Sequence, residues 1–153
     1  MKSDVKLHYR RDGAYRRLLM IIHAYIKVSI LFMPFKTISI RPFIGAKNYP
    51  ESRSFYNDWG FKETVISAEM SLFRLNDLAF YLQDYYVKEW VDNTMLFLEV
   101  DDVQTYWSEI QELNLPAKYP SVKLVPIKTL EWGSECFVHD PSNILWHIGE
   151  FKK

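Results

Sequence analysis

The sequence predicts an α+β fold made of two tandem βαβββ modules. Apolar residues alternate with polar ones over short runs, as in half-buried strands, and turn residues separate these runs. The order strand, helix, strand, strand, strand then occurs twice along the chain. A length of 153 residues is enough for one domain with a proper core. Because one module cannot bury both its helix and one face of its sheet, the two modules must pack together.

The first predicted module spans about residues 36–84. Thr37–Ile44 alternates like a strand, and Pro42 within it favours an edge position or a bulge. Pro50 opens a short helix, and Gly60 ends that helix in a left-handed conformation. Three further strands complete the module: Phe61–Ser67, Glu69–Leu75 and Leu78–Gln83.

The second predicted module spans about residues 94–151. Its first strand is Thr94–Val100, and Asp102 caps a helix that continues to about Leu113. Pro116 lies just beyond the predicted end of that helix. The remaining strands are Val122–Lys128, Glu131–Val138 and Asn143–Ile148. We therefore expect a single domain over residues 35–153 that contains both modules.

Residues 1–34 form a separate, basic and apolar extension. They carry seven Lys or Arg against two Asp, although the whole chain has 19 residues of each sign. The apolar run from Leu18 to Met33 is shorter than the roughly 20 residues of a membrane-spanning helix. Three interpretations stay open: a biological start at Met33, a peripheral or partner-binding helix, and a membrane anchor. Membrane contact is expected only if the extension belongs to the native protein.

Composition excludes several classes of function. Equal numbers of acidic and basic residues leave no global basic field, so we expect no nucleic-acid partner. A single cysteine, Cys136, excludes an intramolecular disulfide and a zinc site of paired thiolates, and it favours a reducing, cytoplasmic location. Five glycines are too few for a nucleotide-binding fingerprint, and no nucleophile motif is present. The expected partner is a small molecule.

Three segments carry a resemblance to a known family: Phe55–Phe61, Leu98–Val103 and Phe137–Glu150. On these residues, about 36–151 resembles the vicinal oxygen chelate superfamily, which includes glyoxalase I, extradiol dioxygenases, fosfomycin-resistance enzymes and bleomycin-resistance proteins. The chain is most similar to the metal-free bleomycin-resistance-like members. Asn143 replaces the usual Gly after the last turn, and Asn also tolerates a left-handed backbone. The resemblance implies a U-shaped mixed-sheet cleft and a homodimer.

The resemblance also implies four inward-pointing positions, which hold His and Glu in the metal-dependent members. Aligned on this sequence, the four positions fall on Arg41, Tyr81, Met95 and His147. A divalent metal needs three or more imidazole or carboxylate ligands, and the charge of Arg41 would repel the ion. We therefore expect neither a metal nor another cofactor.

Each candidate residue has a structural and a functional interpretation. Arg41 either pairs with a surface carboxylate or anchors a ligand, and His147 is either a hydrogen-bonded interior residue or a ligand contact. Met95 and Tyr81 are expected to line the wall of the cleft. Trp132 and Trp146 are candidates for packing against the body of the ligand. The predicted ligand-binding set is Arg41, Tyr81, Met95, His147, Trp132 and Trp146.

Two principal functions follow from these residues. The first is metal-free binding of an aromatic or apolar small molecule, of the kind that gives antibiotic resistance, in a cleft between the two modules or between two subunits. Arg41 and His147 favour an anionic or neutral ligand over a cationic drug such as bleomycin. The alternative is a metal-dependent or His-dependent lyase or isomerase of the glyoxalase kind, with His147 as base and Tyr81 or Arg41 stabilising an oxyanion. An accessory, partner-binding role is a third possibility, and whether the protein is an enzyme stays open.

Overall fold

The computed structural model of the protein describes residues 36–153. The predicted extension over residues 1–34 lies outside these residues. Within the described part, no helix is both long enough and apolar enough to span a membrane.

The first module forms a four-stranded sheet, here called sheet A, and one long helix. Its elements are β1 (Phe43–Gly45), α1 (Tyr49–Asp58), β2 (Lys62–Ser67), β3 (Met70–Leu75) and β4 (Leu78–Gln83). The strand order is β1-β4-β3-β2, in which β1 runs parallel to β4 and the other pairs are antiparallel. Asn48 caps α1 by accepting a hydrogen bond from the Glu51 N–H, and Pro50 lies in the first turn. Gly60 has a φ of 104°, which confirms the predicted end of the helix.

The second module repeats this arrangement as sheet B. Its elements, with the linker helix before them, are α2 (Lys88–Val91), β5 (Met95–Glu99), α3 (Val103–Glu112), α4 (Leu115–Lys118), β6 (Lys123–Thr129), β7 (Gly133–His139) and β8 (Leu145–Phe151). The strand order is β5-β8-β7-β6, with β5 parallel to β8. The predicted α+β class with two tandem modules is confirmed.

One local prediction is wrong, and two short helices were not predicted, although Pro116 does lie beyond the end of α3 as expected. The strand predicted over Thr37–Ile44 is reduced to β1. The Pro42 carbonyl accepts a hydrogen bond from the Tyr81 N–H at 2.9 Å, but Pro42 has no N–H of its own, so the ladder does not continue toward Thr37. The short helix α2 in the linker was not predicted. Pro116 lies inside a second short helix, α4, since Asn114 adopts a left-handed φ of 50° that ends α3 and lets a new helix begin.

Both modules contribute to one hydrophobic core, which is centred on Trp146 of β8. Its ring centroid lies 5.3–6.0 Å from the rings of four residues of the first module: Tyr56, Trp59, Phe61 and Phe80. The Trp146 Nε1–H donates to the Tyr56 hydroxyl at 3.2 Å. The helix-facing sides of sheets A and B are therefore buried together.

Asp140 links the core to the last turn of the chain. Its carboxylate accepts hydrogen bonds from the Tyr56 hydroxyl at 2.7 Å and from the backbone N–H groups of Ser142 and Ile144 at 2.8 and 2.7 Å. The side chain is fully buried, and Asn143 has the left-handed φ of 75° that its position in the turn requires. Burial raises the pKa of Asp140 to about 6, although the hydrogen bonds from Tyr56 and the backbone act in the opposite direction.

We expect the contribution of Asp140 to stability to be greatest in mild acid. Its pKa in the folded state is above the unfolded value, so the folded state binds more protons between about pH 4 and 6. This contribution is complete below pH 4 and is lost as the pH rises through 6. Lowering the pH from 7.5 to 5 should raise the free energy of unfolding by about 1.4 kcal/mol through this group, as measured by urea denaturation.

The variant Asp140→Asn isolates this effect, because it removes the titration and keeps hydrogen-bonding capacity at the same position. Its stability should lack the acid-dependent gain. Below about pH 4 both proteins should lose stability, because the pKa values of Asp58 and Glu63 are lowered in the folded state. Identical pH profiles of the two proteins between pH 5 and 7.5 would contradict the assignment.

Candidate functional site

Each sheet has one face in the shared core and one face that points away from it, which we call its open face. Alternate residues of a strand point to opposite faces, so the core residues of β4 and β8 identify the open positions. In β4, Phe80 and Leu82 are in the core, which places Tyr81 on the open face of sheet A. In β8, Trp146 and Ile148 are in the core, which places His147 on the open face of sheet B.

The open face of sheet A presents an arginine beside a pair of aromatic rings. Phe43 is the register partner of Tyr81, and their rings stack with centroids 4.6 Å apart. Arg41 lies two residues before Phe43, and its Nη1 donates to the Tyr81 hydroxyl at 3.5 Å. The Arg41 Nε is buried without a hydrogen-bond partner among the described residues. Within residues 36–153 Arg41 pairs with no carboxylate, so the guanidinium keeps donors for a ligand beyond its contact with Tyr81.

A surface cavity of about 430 Å³ lies at the β1 edge of sheet A, and Phe43 is the member of the arginine and aromatic group that lines it. Phe43 and Gln83 form its sheet side, and Tyr85, Trp90 and Val91 of the linker form the other. On the opposite side of the face, Lys62 and Arg74 are directly paired across β2 and β3. The open face of sheet A therefore combines apolar volume with positive charge.

The open face of sheet B presents a histidine paired with a carboxylate. His147 Nδ1 lies 2.9 Å from Glu135 Oε2 of the neighbouring strand β7. Glu135 is buried, whereas the His147 side chain is 26% exposed. The imidazole packs against Phe137 at 5.0 Å edge to face and against Phe97 at 6.4 Å between ring centroids. The protein therefore fixes the orientation of the His147 ring and occupies its Nδ1 with a hydrogen bond.

Three aromatic side chains form a rim beside this pair: Phe97, Trp132 and Phe151. Their ring centroids lie 5.3–6.0 Å apart. Gly149 makes room for this rim, because a Cβ atom at Gly149 would lie 2.8 Å from the Phe97 ring. The result is a partly exposed aromatic surface next to His147.

The structure brings the predicted residues together in two groups rather than one. Arg41 and Tyr81 are neighbours on the open face of sheet A. Met95 and His147 lie on the open face of sheet B, where Trp132 contacts the ring of Phe97. The register partner of Tyr81 is Phe43, two residues after the predicted Arg41. The register partner of His147 is Phe97, two residues after the predicted Met95. Trp146 lies in the core, on the opposite side of β8 from His147.

Sequence reasoning missed Glu135 and two of the three rim residues, Phe97 and Phe151, whereas Trp132 was predicted. A usable signal was present, because the turn at 140–143 pairs Phe137 with His147 in an antiparallel hairpin. A residue two positions before Phe137 on β7 is then the diagonal neighbour of His147 on the same face, and that residue is Glu135.

No known family profile matches the sequence, and no curated protein matches it either. Solved structures do match. The bleomycin-binding protein of bleomycin-producing Streptomyces verticillus, complexed with copper(II)-bleomycin, is 20% identical with a TM-score of 0.65, over 77% of this chain and 99% of that one. The chain has the vicinal oxygen chelate fold. This confirms, at the level of the fold, the resemblance found in the sequence.

Other proteins with the vicinal oxygen chelate fold extend this similarity to both binding proteins and enzymes. An antibiotic-binding protein from Streptomyces sp. CB03234 is 15% identical with a TM-score of 0.58, over 78% of this chain and 99% of that one. Lactoylglutathione lyase from Agrobacterium tumefaciens is 13% identical with a TM-score of 0.54, over 76% of this chain and 100% of that one. At these identities the similarity concerns the fold alone.

The metal site of metal-dependent proteins with this fold is not matched by the residues present. Within residues 36–153 no three His, Cys, Asp or Glu side chains lie close enough together to hold a metal ion. His147 and Glu135 supply only two side chains of the kind that bind metals, and these two are hydrogen-bonded to each other. The corresponding positions on the open face of sheet A hold Arg41, Phe43 and Tyr81, of which none is a preferred ligand of a divalent ion.

Proposed function

We propose that the protein binds an anionic or neutral small molecule with an aromatic or apolar body, without a metal, in a cleft between two copies of the chain. The observation that carries this proposal is the separation of the binding residues into two groups on two open faces. In a two-fold dimer, the open face of sheet A of one copy covers the open face of sheet B of the other. The dimer then contains two identical clefts.

Exposed apolar side chains support the pairing of open faces. Phe43 on sheet A is 58% exposed, and Phe97 and Met95 on sheet B are 46% and 64% exposed. Apolar surface of this kind, surrounded by polar groups, is typical of a ligand-binding or protein-binding region. A second copy covers it on both sheets at once. Sedimentation as a stable monomer at micromolar concentration would contradict the dimer.

Charge supports an anionic or neutral ligand. Arg41, Lys62 and Arg74 lie on the open face of sheet A, and Arg41 has donors without protein partners among the described residues. A carboxylate accepts two parallel hydrogen bonds from a guanidinium, while the body of the ligand packs on the rim of Phe97, Trp132 and Phe151. If the protein has a role in antibiotic resistance, the proposed role is to sequester an anionic or neutral aromatic compound by binding it. The proposed location of the protein is the cytoplasm, since Cys136 is buried and has no disulfide partner in the sequence.

Arg41→Met tests the charge of the ligand. The expected result is a loss on the order of 2 kcal/mol in the binding of 2-naphthoic acid, the cost of a lost charge-assisted hydrogen bond, with little change for 2-naphthamide. Isothermal titration of both compounds measures it. Lys152→Met is the matched control, because it removes one positive charge from an exposed side chain and should change neither affinity. Equal affinities of acid and amide in the wild type and in Arg41→Met would show that Arg41 does not contact the ligand.

One observation favours the alternative function, a His-dependent lyase or isomerase of the glyoxalase kind. The contact between Glu135 and His147 Nδ1 leaves Nε2 available as a general base near a partly exposed surface. An enzyme would convert its ligand, whereas a sequestering protein would return it unchanged. Chromatography of a bound compound after prolonged incubation separates these two functions.

A further inference from the structure

We propose that Glu135 fixes the tautomer of His147, so that Nε2 of His147 accepts a hydrogen bond from an O–H or N–H group on the aromatic body of the ligand. This proposal rests on the proposed function, because it specifies which aromatic compounds the cleft selects. It assigns Glu135 as a positioning residue and His147 as the residue that determines specificity.

The contact between Glu135 and His147 defines which ring nitrogen carries the proton. A carboxylate only accepts hydrogen bonds, so Nδ1 of His147, 2.9 Å from Glu135 Oε2, carries the hydrogen. In a neutral imidazole the other nitrogen, Nε2, is then an acceptor. Nε2 has no hydrogen-bond partner within residues 36–153, and it is not among the buried unpaired atoms. Its lone pair is therefore accessible from the open face.

The neighbouring side chains hold this arrangement in place. Phe97 lies nearly parallel to the imidazole, with an interplanar angle of 29°, and Phe137 meets it edge to face at 72°. Glu135 is buried on a central strand of sheet B, so its carboxylate cannot turn to solvent without breaking the contact. The acceptor is fixed before a ligand arrives, which reduces the entropic cost of forming a directed hydrogen bond.

The chemistry of the face then selects among aromatic ligands. A ring that packs on the rim of Phe97, Trp132 and Phe151 lies beside the imidazole. A hydroxyl or N–H group on that ring satisfies Nε2, whereas a methoxy group at the same place leaves a partly desolvated acceptor unpaired. The cleft should therefore prefer a phenol-like donor to its methyl ether.

Calorimetric titration with 2-naphthol and 2-methoxynaphthalene at about pH 8 tests this selection. We expect wild-type protein to bind the naphthol about tenfold more tightly than the ether, as one well-formed hydrogen bond allows. Glu135→Gln should reduce this ratio below about threefold with little change for the ether, because an amide can either donate to or accept from Nδ1 and no longer fixes the tautomer. His147→Phe should abolish the preference. Glu99→Gln is the matched control, since it removes a carboxylate from the same open face without contacting His147, and it should retain the wild-type ratio.

Nitrogen chemical shifts of the His147 ring in the ligand-free protein provide an independent measurement. The expected result is a protonated Nδ1 and an unprotonated Nε2 in the wild type, with a mixture of tautomers in Glu135→Gln. Protonation at Nε2 in the wild type would overturn the proposal, and so would equal affinity for both probes. An equal loss of affinity for both probes in Glu135→Gln would assign Glu135 a structural role instead. Failure of both probes to bind the wild type would contradict the proposed function, while the ring shifts would still decide the tautomer.

Discussion

Replacing Trp146 by Ala is expected to lower the free energy of unfolding by about 3–5 kcal/mol, the usual cost of truncating a fully packed tryptophan. Trp146 is 5% exposed, and its ring contacts aromatic residues of the first module. Its indole N–H also donates to the Tyr56 hydroxyl, which in turn donates to Asp140. The substitution therefore leaves a cavity where the two modules meet. Urea denaturation followed by circular dichroism measures the loss.

Trp132→Ala is the matched control, because it truncates the same side chain at a different place. Trp132 is 37% exposed and belongs to the rim on the open face of sheet B. Its truncation should cost less than about 1 kcal/mol of stability, as is usual for partly exposed positions. It should instead weaken the binding of 2-naphthoic acid. Similar losses of stability in both variants would contradict the placement of the two tryptophans.

The contrast between these two tryptophans shows what the sequence could predict. The element order follows from local signals, since alternation, caps and turns at Asn48, Gly60 and Asp102 are properties of a few adjacent residues. Strand alternation also places Trp146 and His147 on opposite faces, so only one of them can line an open face. Which of the two faces belongs to the core depends on how distant segments pack, and that information is not local.

The same limit applies to the candidate site. Tyr81 and His147 could be assigned to the last strands of the modules, and both lie on open faces in the structure. The offset from Arg41 to Phe43 and from Met95 to Phe97 arises because the register between parallel strands is set by tertiary packing and not by a turn. The helix-facing sides of both sheets share one core, and the open faces therefore lie apart. This arrangement depends on contacts between side chains that are about 90 residues apart in the sequence, such as Tyr56 and Trp146.

The proposed dimer leads to a second large effect, the recovery of tight binding when two weakly binding variants are mixed. Arg41→Met damages the open face of sheet A, and His147→Phe damages the open face of sheet B. In either homodimer, every cleft that joins face A of one copy to face B of the other contains one damaged face. Each variant alone is therefore expected to bind a compound that needs both residues, 6-hydroxy-2-naphthoic acid, at least tenfold more weakly than the wild type.

In a mixed dimer, one cleft contains both damaged faces and the other contains neither. If the two variants exchange subunits at random, half of the dimers are mixed, and about a quarter of the wild-type number of clefts regains full affinity. Titration of the equilibrated mixture with 6-hydroxy-2-naphthoic acid counts these clefts, and unmixed samples at the same total concentration serve as controls. A cleft built within one chain gives a different result, because every chain then carries one damaged face and mixing restores nothing. Recovery therefore requires that one copy supplies Arg41 and the other supplies His147, and its absence in a mixture shown to contain mixed dimers would refute the shared cleft.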